Sequence, residues 1–305
     1  MIGMNYPDQL RTHIKQDGIV PLIGAYDTFS ASIAARHFDG IFISGFSFAA
    51  SFYGLPDIGF ISWSDITAFT QRVRTLLPTH HIVVDMDDGY CDTDVACHVA
   101  GLLEDAGASG IILEDQKRPR RCGHLGGKQI MDLEEFLDKL NCVLTQRNHL
   151  FVVARTDATE QNEILRRIEA FAKTDADAIL ADGLTDFSLL KSFQDITDKP
   201  IVFNQIYGGK SPAISLPELK AHGVSLVNYS TPCISAAQSA INASMEQLKA
   251  QQGLLSEDLA PGVALNECNQ LLNENLMHKN MKATLADLGS DKDPINPYRK
   301  AEEID

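Results

Sequence analysis

Short apolar runs rich in β-branched residues recur along the chain, and a stretch of helical periodicity follows each. The runs span residues 21–27, 40–45, 81–88, 110–115, 150–157, 178–183, 200–206 and 224–230. Continuous apolar runs, rather than strict apolar–polar alternation, suit parallel strands covered on both faces. Between them, Val95, Val99 and Leu103 line one helical face, with Leu102 and Ala106 beside them. Ile66, Phe69, Val73, Leu76 and Leu77 form a second stripe, and Leu133, Phe136, Leu137, Leu140, Val143 and Leu144 a third. Gly40, Gly107 and Gly223 follow helical stretches and are expected as left-handed caps. Strand–helix units repeated in this way predict an α/β fold, a (β/α)8 TIM barrel, with a doubly wound parallel sheet as the alternative.

No linker rich in Pro, Gly or Ser divides the chain. Residues 1–276 read as one barrel domain with additional C-terminal helices, and residues 277–305 as a polar, mobile tail. Ile234, Ala237, Ile241, Met245 and Leu248 mark a long helix after the last run. Val263, Leu265, Cys268, Leu271, Leu272 and Leu276 mark another apolar stripe. A closed barrel needs only one helix after its last strand, so this second stripe calls for a further surface to cover it.

The 305 residues are 44% hydrophobic and 22% charged, which excludes a disordered or fibrous chain. Lys and Arg number 26 against 41 Asp and Glu, a net charge of −15. A surface this acidic repels phosphate backbones and anionic lipid, so neither nucleic acid nor a membrane is an expected partner. An anionic small molecule stays open, because a metal ion or a few arginines invert the potential locally. No apolar run approaches the ~18 residues of a membrane span, and the first residues lack a signal-peptide pattern. The six cysteines are scattered without a CxxC pair and read as reduced thiols. The expected location is cytoplasmic.

Chemistry collects where barrel active sites lie, at the C-terminal ends of the strands. In order these ends carry Asp27, Ser44, Asp85/Asp87/Asp88, Glu114/Asp115, Arg155/Asp157, Asp182, Asn204 and Asn228/Tyr229. Any one acidic residue there could be a helix cap or a turn former. Convergent carboxylates repel, however, and oxygen-only ligands call for a hard cation such as Mg2+, with Mn2+ as a substitute. Asp85 and Asp87, two apart on a strand, are expected to share one face, with Asp88 turned away. Residues 120–128 pack Arg120, Arg121 and Lys128 around Cys122, His124 and three glycines. Neighbouring cations would lower the thiol's pKa and glycines would let the loop move, which describes a reactive cysteine on a closing lid. The plainer reading is a basic surface loop with an incidental cysteine. Gly208-Gly209-Lys210-Ser211-Pro212 lacks Walker spacing and could equally be a turn.

Together these motifs resemble the isocitrate lyase/phosphoenolpyruvate mutase superfamily over roughly residues 21–252. Ser44-Gly45-Phe46 looks like its substrate-carboxylate loop, and Asp57 in Gly54-Leu55-Pro56-Asp57 like its aspartate near the metal. By the same resemblance Asp85, Asp87 and Glu114 are the magnesium-site carboxylates, and Arg155 binds substrate. Cys122-Gly123-His124 matches the lyase signature on the mobile loop, and Asp182 and Asn204 line the substrate site. The branch that looks most similar cleaves 2-methylisocitrate or 2-alkylmalates and includes carboxyvinyl-carboxyphosphonate phosphorylmutase-like proteins.

The resemblance implies a Mg2+-dependent carbon–carbon lyase. Arg155 and the Ser44, Gly45 and Phe46 loop would hold carboxylates, Cys122 would protonate the enolate-like product, and His124 would tune the thiol. It also implies a homotetramer built from dimers that exchange their eighth helix. The chain departs from the pattern at Arg120, where lysine is usual, and at Asp182 and Tyr207, where glutamate is usual. It departs again at Asp88, which replaces a small residue. The alternatives are phosphonomutase, phosphonopyruvate- or oxaloacetate-hydrolase chemistry in the same fold, and a non-catalytic homologue that binds a small acid or serves assembly.

Overall fold

Inner and outer faces of the strands are both apolar, so both need covering, and a closed sheet wrapped by helices covers both. A computed structural model, which describes residues 5–255 and 262–288, shows this arrangement. The chain begins with α1 (Tyr6–Asp17), β1 (Val20–Ala25), α2 (Thr28–Ala34), β2 (Gly40–Ile43) and α3 (Gly45–Phe48). A π-helical turn (Ala49–Tyr53), α4 (Trp63–Leu76), β3 (His81–Asp85), α5 (Thr93–Asp105) and β4 (Gly110–Glu114) follow. Next come α6 (Leu133–Gln146), β5 (Phe151–Thr156), α7 (Gln161–Ala172), β6 (Ala178–Ala181) and α8 (Leu189–Ile196). The chain ends with β7 (Ile201–Asn204), α9 (Leu216–Ala221), β8 (Val224–Tyr229), α10 (Pro232–Ala250) and α11 (Leu265–Leu288). All strands pair in parallel and in sequence order, and β1 pairs with both β2 and β8, so the sheet is a barrel and not a doubly wound layer.

Two cores result. Outward strand residues such as Ile43, Val84, Leu113 and Val152 pack against Ile66, Val99, Phe136 and Ile168 of the helices. Inward residues Leu22, Phe42, Val83, Ile112, Val153, Leu180, Val202 and Leu226 fill the barrel. Helix α1 closes the bottom with Leu10 and Ile14, a role the strand–helix periodicity did not predict. Its signals are local: Asn5 accepts from the Asp8 backbone N–H at 2.9 Å, Pro7 stands in the first turn, and Gly18 ends it at φ 75°.

Gly107 and Gly223 are left-handed as expected, at φ 89° and 78°. Gly40 is not. It opens β2, where a Cβ would stand 2.4 Å from the Pro21 carbonyl oxygen, so a close approach and not a cap requires glycine there.

The C-terminal helices differ from the rest. Helix α10 buries none of its residues and leaves Ile241 and Met245 more than half exposed. Helix α11 buries Leu271 and Asn275, and Arg36 pairs with Glu274. The tail expected from residue 277 begins inside α11, and residues 289–305 lie outside the described residues. Among the described residues no helix is long and apolar enough to cross a membrane.

Candidate active site

Counting two residues up each strand from the inner core layer leads to Gly24, Ser44, Asp85, Glu114, Arg155, Asp182, Asn204 and Asn228. Side chains two apart on a strand share a face, so the barrel mouth inherits a ring of polar groups directly above an apolar plug. All of these but Gly24 carry polar side chains, and each of those side chains is buried.

Asp85 is the last residue of β3, and the strand does not continue to Asp87 as expected. Asp87 instead takes a left-handed backbone at φ 52°, a conformation aspartate tolerates better than most residues. The turn still brings the two carboxylates together, since a Cβ on Gly45 would lie 3.3 Å from both Asp85 Oδ2 and Asp87 Oδ1. Glycine thus keeps that corner open beside the amides at the start of α3, whose N-cap is the Ser44 side chain. Asp88, one of the departures from the family pattern, has its own partner: Arg118 of the following loop donates to it at 2.7 Å.

Arg120 is the residue that sequence reasoning missed as part of the site. Its guanidinium is buried, pairs with Asp57, and lies 2.9 Å from Glu114 and 3.1 Å from Asp87. Arg155 was expected to hold a substrate carboxylate, but most of its guanidinium is already engaged. Its Nε and Nη2 donate to Asp157 at 2.9 and 3.2 Å, and Nη2 also meets Glu114 at 3.0 Å and Asp182 at 2.8 Å. Nη1 stands 3.9 Å from Asp85, beyond hydrogen-bond reach.

The loop between β4 and α6 lies closed over this ring. Its base is fixed by Arg167, which pairs with Asp115 at 2.9 Å and donates to the Met131 carbonyl at 2.6 Å. Gly123 sits on the Arg155–Asp182 pair so tightly that a Cβ would come 1.8 Å from Asp182 Oδ2. Lys128 pairs with Asp157 at 2.8 Å. The Lys210 backbone N–H donates to His124 Nδ1 at 3.0 Å, which leaves the ring proton on Nε2, 3.5 Å from Asp182 Oδ1. The Gly208–Pro212 segment is therefore the seat of the lid. Tyr207 beside it points to solvent at 97% exposure.

Electrostatics follow from burial and pairing. Burial pushes Glu114 up to about 8, against the pull of Arg120 and Arg155. It also raises Asp85, and takes Asp87 well above the usual carboxylate range. Asp182 goes the other way: burial opposes its charge, but Arg155 and His124 outweigh burial and hold it low. Cys122 contradicts the expected cation-lowered thiol. Burial, then the Asp57 charge, push it up to about 12, so at neutral pH it is a protonated acid.

No three Asp, Glu, His or Cys side chains among the described residues close on a single point. The donor set nevertheless fits a hard divalent cation. It is all oxygen and buried, its carboxylates stay raised beside two arginines, and Asp87 Oδ1 and Glu114 Oε2 lack a directed hydrogen bond. Asp85, Asp87 and Glu114 would hold such an ion, in part through water.

Comparison with known proteins agrees with this geometry. Residues 10–249 match the family described as phosphoenolpyruvate phosphomutase. A 2-methylisocitrate lyase of Bacillus subtilis (strain 168) is 31% identical over 228 residues, 73% of this chain and 74% of that protein. The crystal structure of a 2,3-dimethylmalate lyase, a PEP mutase/isocitrate lyase superfamily member, superposes with a TM-score of 0.83 at 25% identity. It covers 94% of this chain and 96% of the other. A phosphonopyruvate hydrolase bound to oxalate and Mg2+ superposes at 0.79, also 25% identical, covering 93% and 99%. With its closed barrel, its polar ring at the strand ends and a match over most of its length, the chain belongs to the phosphoenolpyruvate phosphomutase family, within the PEP mutase/isocitrate lyase superfamily.

Proposed function

We propose that this protein is a carbon–carbon lyase acting on a 2-methylisocitrate- or 2-alkylmalate-like hydroxy acid, which it splits into a 2-oxo acid and a carboxylic acid. The observation that carries the reading is Cys122: a thiol kept protonated, carried by the closed lid and buried there, next to the glycine that rests on the Arg155–Asp182 pair. Carbon–carbon cleavage leaves an enolate-like fragment, and a neutral thiol in a water-poor pocket is suited to protonate its carbon. Arg155 Nη1 orients one substrate carboxylate, and the Gly45 and Phe46 amides, with Ser44, orient another. His124 holds the lid to the Lys210 amide and to Asp182, which fixes where the thiol stands. A bound Mg2+ would supply Lewis-acid stabilisation of the oxygen that becomes a carbonyl.

The relatives include hydrolase chemistry, so the decisive assay is comparative. Mg2+-dependent release of a 2-oxo acid is expected from 2-methylisocitrate or a 2-alkylmalate, and not from phosphonopyruvate. Turnover of phosphonopyruvate or oxaloacetate alone would replace the lyase reading.

Cation binding is expected to displace protons. With Glu114 raised to about 8, its neutral form is substantial at pH 7, and a divalent ion favours the ionised form. Mg2+ affinity should therefore climb from pH 6 to 8 and level off above. Calorimetry in buffers of different ionisation enthalpy should show proton release near pH 7. A pH-independent affinity would remove Glu114 from the cation site.

We also propose that α10 packs on a neighbouring subunit, in a tetramer of helix-exchanged dimers. Support comes from a long helix with no buried residue and with exposed Ile241 and Met245. Reciprocal exchange closes on itself and yields even-numbered assemblies. Light scattering should find a tetramer for the full chain, and aggregation or dissociation for a chain cut before Ala236. A 33.4 kDa monomer would rule this out.

A further inference from the structure

The ring at the barrel mouth has a charged half and a neutral half. From β3 round to β6 it presents Asp85, Glu114, Arg155 and Asp182, which pair among themselves and with Arg120. From β7 round to β2 it presents Asn204, Asn228, Gly24 and Ser44, none of them charged. Most of the neutral half is already engaged. Asn204 donates from Nδ2 to Asp182 Oδ1 and accepts from Ser230 Oγ, both at 2.8 Å. Ser44 Oγ accepts from the Ser47 backbone N–H at 3.3 Å.

Asn228 differs from both. It is 1% exposed, and its Oδ1 is buried with no hydrogen-bond partner. The β7–β8 register sets it directly beside Asn204. On its other side runs β1, whose Leu22 is its register partner, while the Ser230 carbonyl oxygen takes the space a Gly24 side chain would need, 2.3 Å from its Cβ position. A buried amide oxygen without a partner is uncommon, because burial removes its water and nothing replaces it. Asn228 stands two residues up β8 from the inward Leu226, so strand alternation places it in the half of the ring that carries no charge.

We infer that Asn228 is a specificity residue that reads the non-reacting end of the substrate, its Oδ1 accepting from a hydroxyl group there and disfavouring an alkyl group of the same size. A site built to hydrogen-bond one substituent rejects the analogue that lacks it, because the site's own polar group is then left unpaired. The inference rests on the reading of this mouth as a carboxylic-acid site and narrows it. Substrates with a hydroxyl on the distal carbon are preferred over malates that carry only alkyl groups there.

The test compares equilibrium binding, by calorimetry with Mg2+, of tartrate and 3-methylmalate, diacids on the same four-carbon backbone that differ by hydroxyl against methyl at one carbon. Oxalate, small enough for the charged half alone, serves as reference. The wild type is expected to bind tartrate about tenfold or more tighter than 3-methylmalate. Asn228→Leu should cancel or reverse that preference while oxalate affinity stays within about twofold. Asn228→Ala should do the same, which keeps the test open if the leucine variant fails to fold. A tartrate preference that survives either variant overturns the assignment, as does oxalate binding lost along with it. Oxalate bound by the wild type without any tartrate preference defeats Asn228 alone. No binding of any of the three acids defeats the carboxylic-acid reading and this inference together.

Discussion

Cys122→Ala is expected to lower turnover by roughly 10²- to 10⁴-fold, the usual contribution of a positioned general acid, with substrate affinity nearly unchanged. The thiol acts on a carbon that becomes basic only after the bond has broken, so removing it costs little in the ground state. The same residue sets an expectation for pH. A free thiol would begin to ionise near 8.5. In this fold burial and the Asp57 charge push the value up to about 12, so the proton is retained as pH rises through the ordinary thiol range. The wild-type rate should then show no alkaline limb near 8.5 from this group. Iodoacetamide should modify the exposed Cys91 well before Cys122 at neutral pH. Steady-state kinetics and peptide mapping check both statements. Full turnover in Cys122→Ala, or alkylation of Cys122 ahead of Cys91, would end its assignment as the acid.

The barrel was legible because each strand is a continuous apolar run, and both faces of a barrel strand are buried. Each predicted run coincides with a strand, β1 alone beginning one residue before its run, and every run passes the strand's C-terminal end by one to three residues. There the apolar run passes straight into the polar residues of the site. Ser44, Asp85, Glu114, Arg155, Asp182 and Asn204 were therefore readable as strand-end residues, and the inner-face count brings them to one mouth. What failed depended on how the chain turns at a strand end or on contacts distant in sequence. The shared-face argument for Asp85 and Asp87 assumed that β3 continues, whereas the chain turns left-handed at Asp87. Arg120 and Arg121 looked like charges that would activate Cys122. In space, the Arg120 charge is taken by Asp57, Asp87 and Glu114, while Arg121 donates back to the Arg120 carbonyl at 2.9 Å. Burial then decides the sign of the thiol's shift.

Arg120→Met should produce the second large effect, and it should appear as an opened lid more than as an unfolded barrel. The substitution leaves Asp57, Asp87 and Glu114 without a buried counter-ion, and breaking such a pair from one side costs about 3–5 kcal/mol. Two responses can relieve that cost. The carboxylates can take up protons, which Glu114 is already poised to do. The loop can also lift and admit water, giving up Arg118–Asp88, Lys128–Asp157 and the His124–Lys210 contact. The Arg118–Asp88 pair is partly exposed at its arginine. Lifting also brings both partners of the buried Lys128–Asp157 pair into water together, so neither stays behind as a lone buried charge and lifting is the easier path. The barrel below the ring keeps its two apolar cores in either case. The thermal midpoint should thus fall by only a few degrees, while alkylation of Cys122 and tryptic cleavage after Arg121 or Lys128 accelerate severalfold. Added Mg2+ should protect the variant more than the wild type, because a divalent ion can stand in for the lost guanidinium charge and binds the folded state alone. Arg120→Lys retains the charge without the planar fork that spans several carboxylates, and should fall between the two. Wild-type protection of Cys122 in Arg120→Met would mean that the buried guanidinium does not hold the lid.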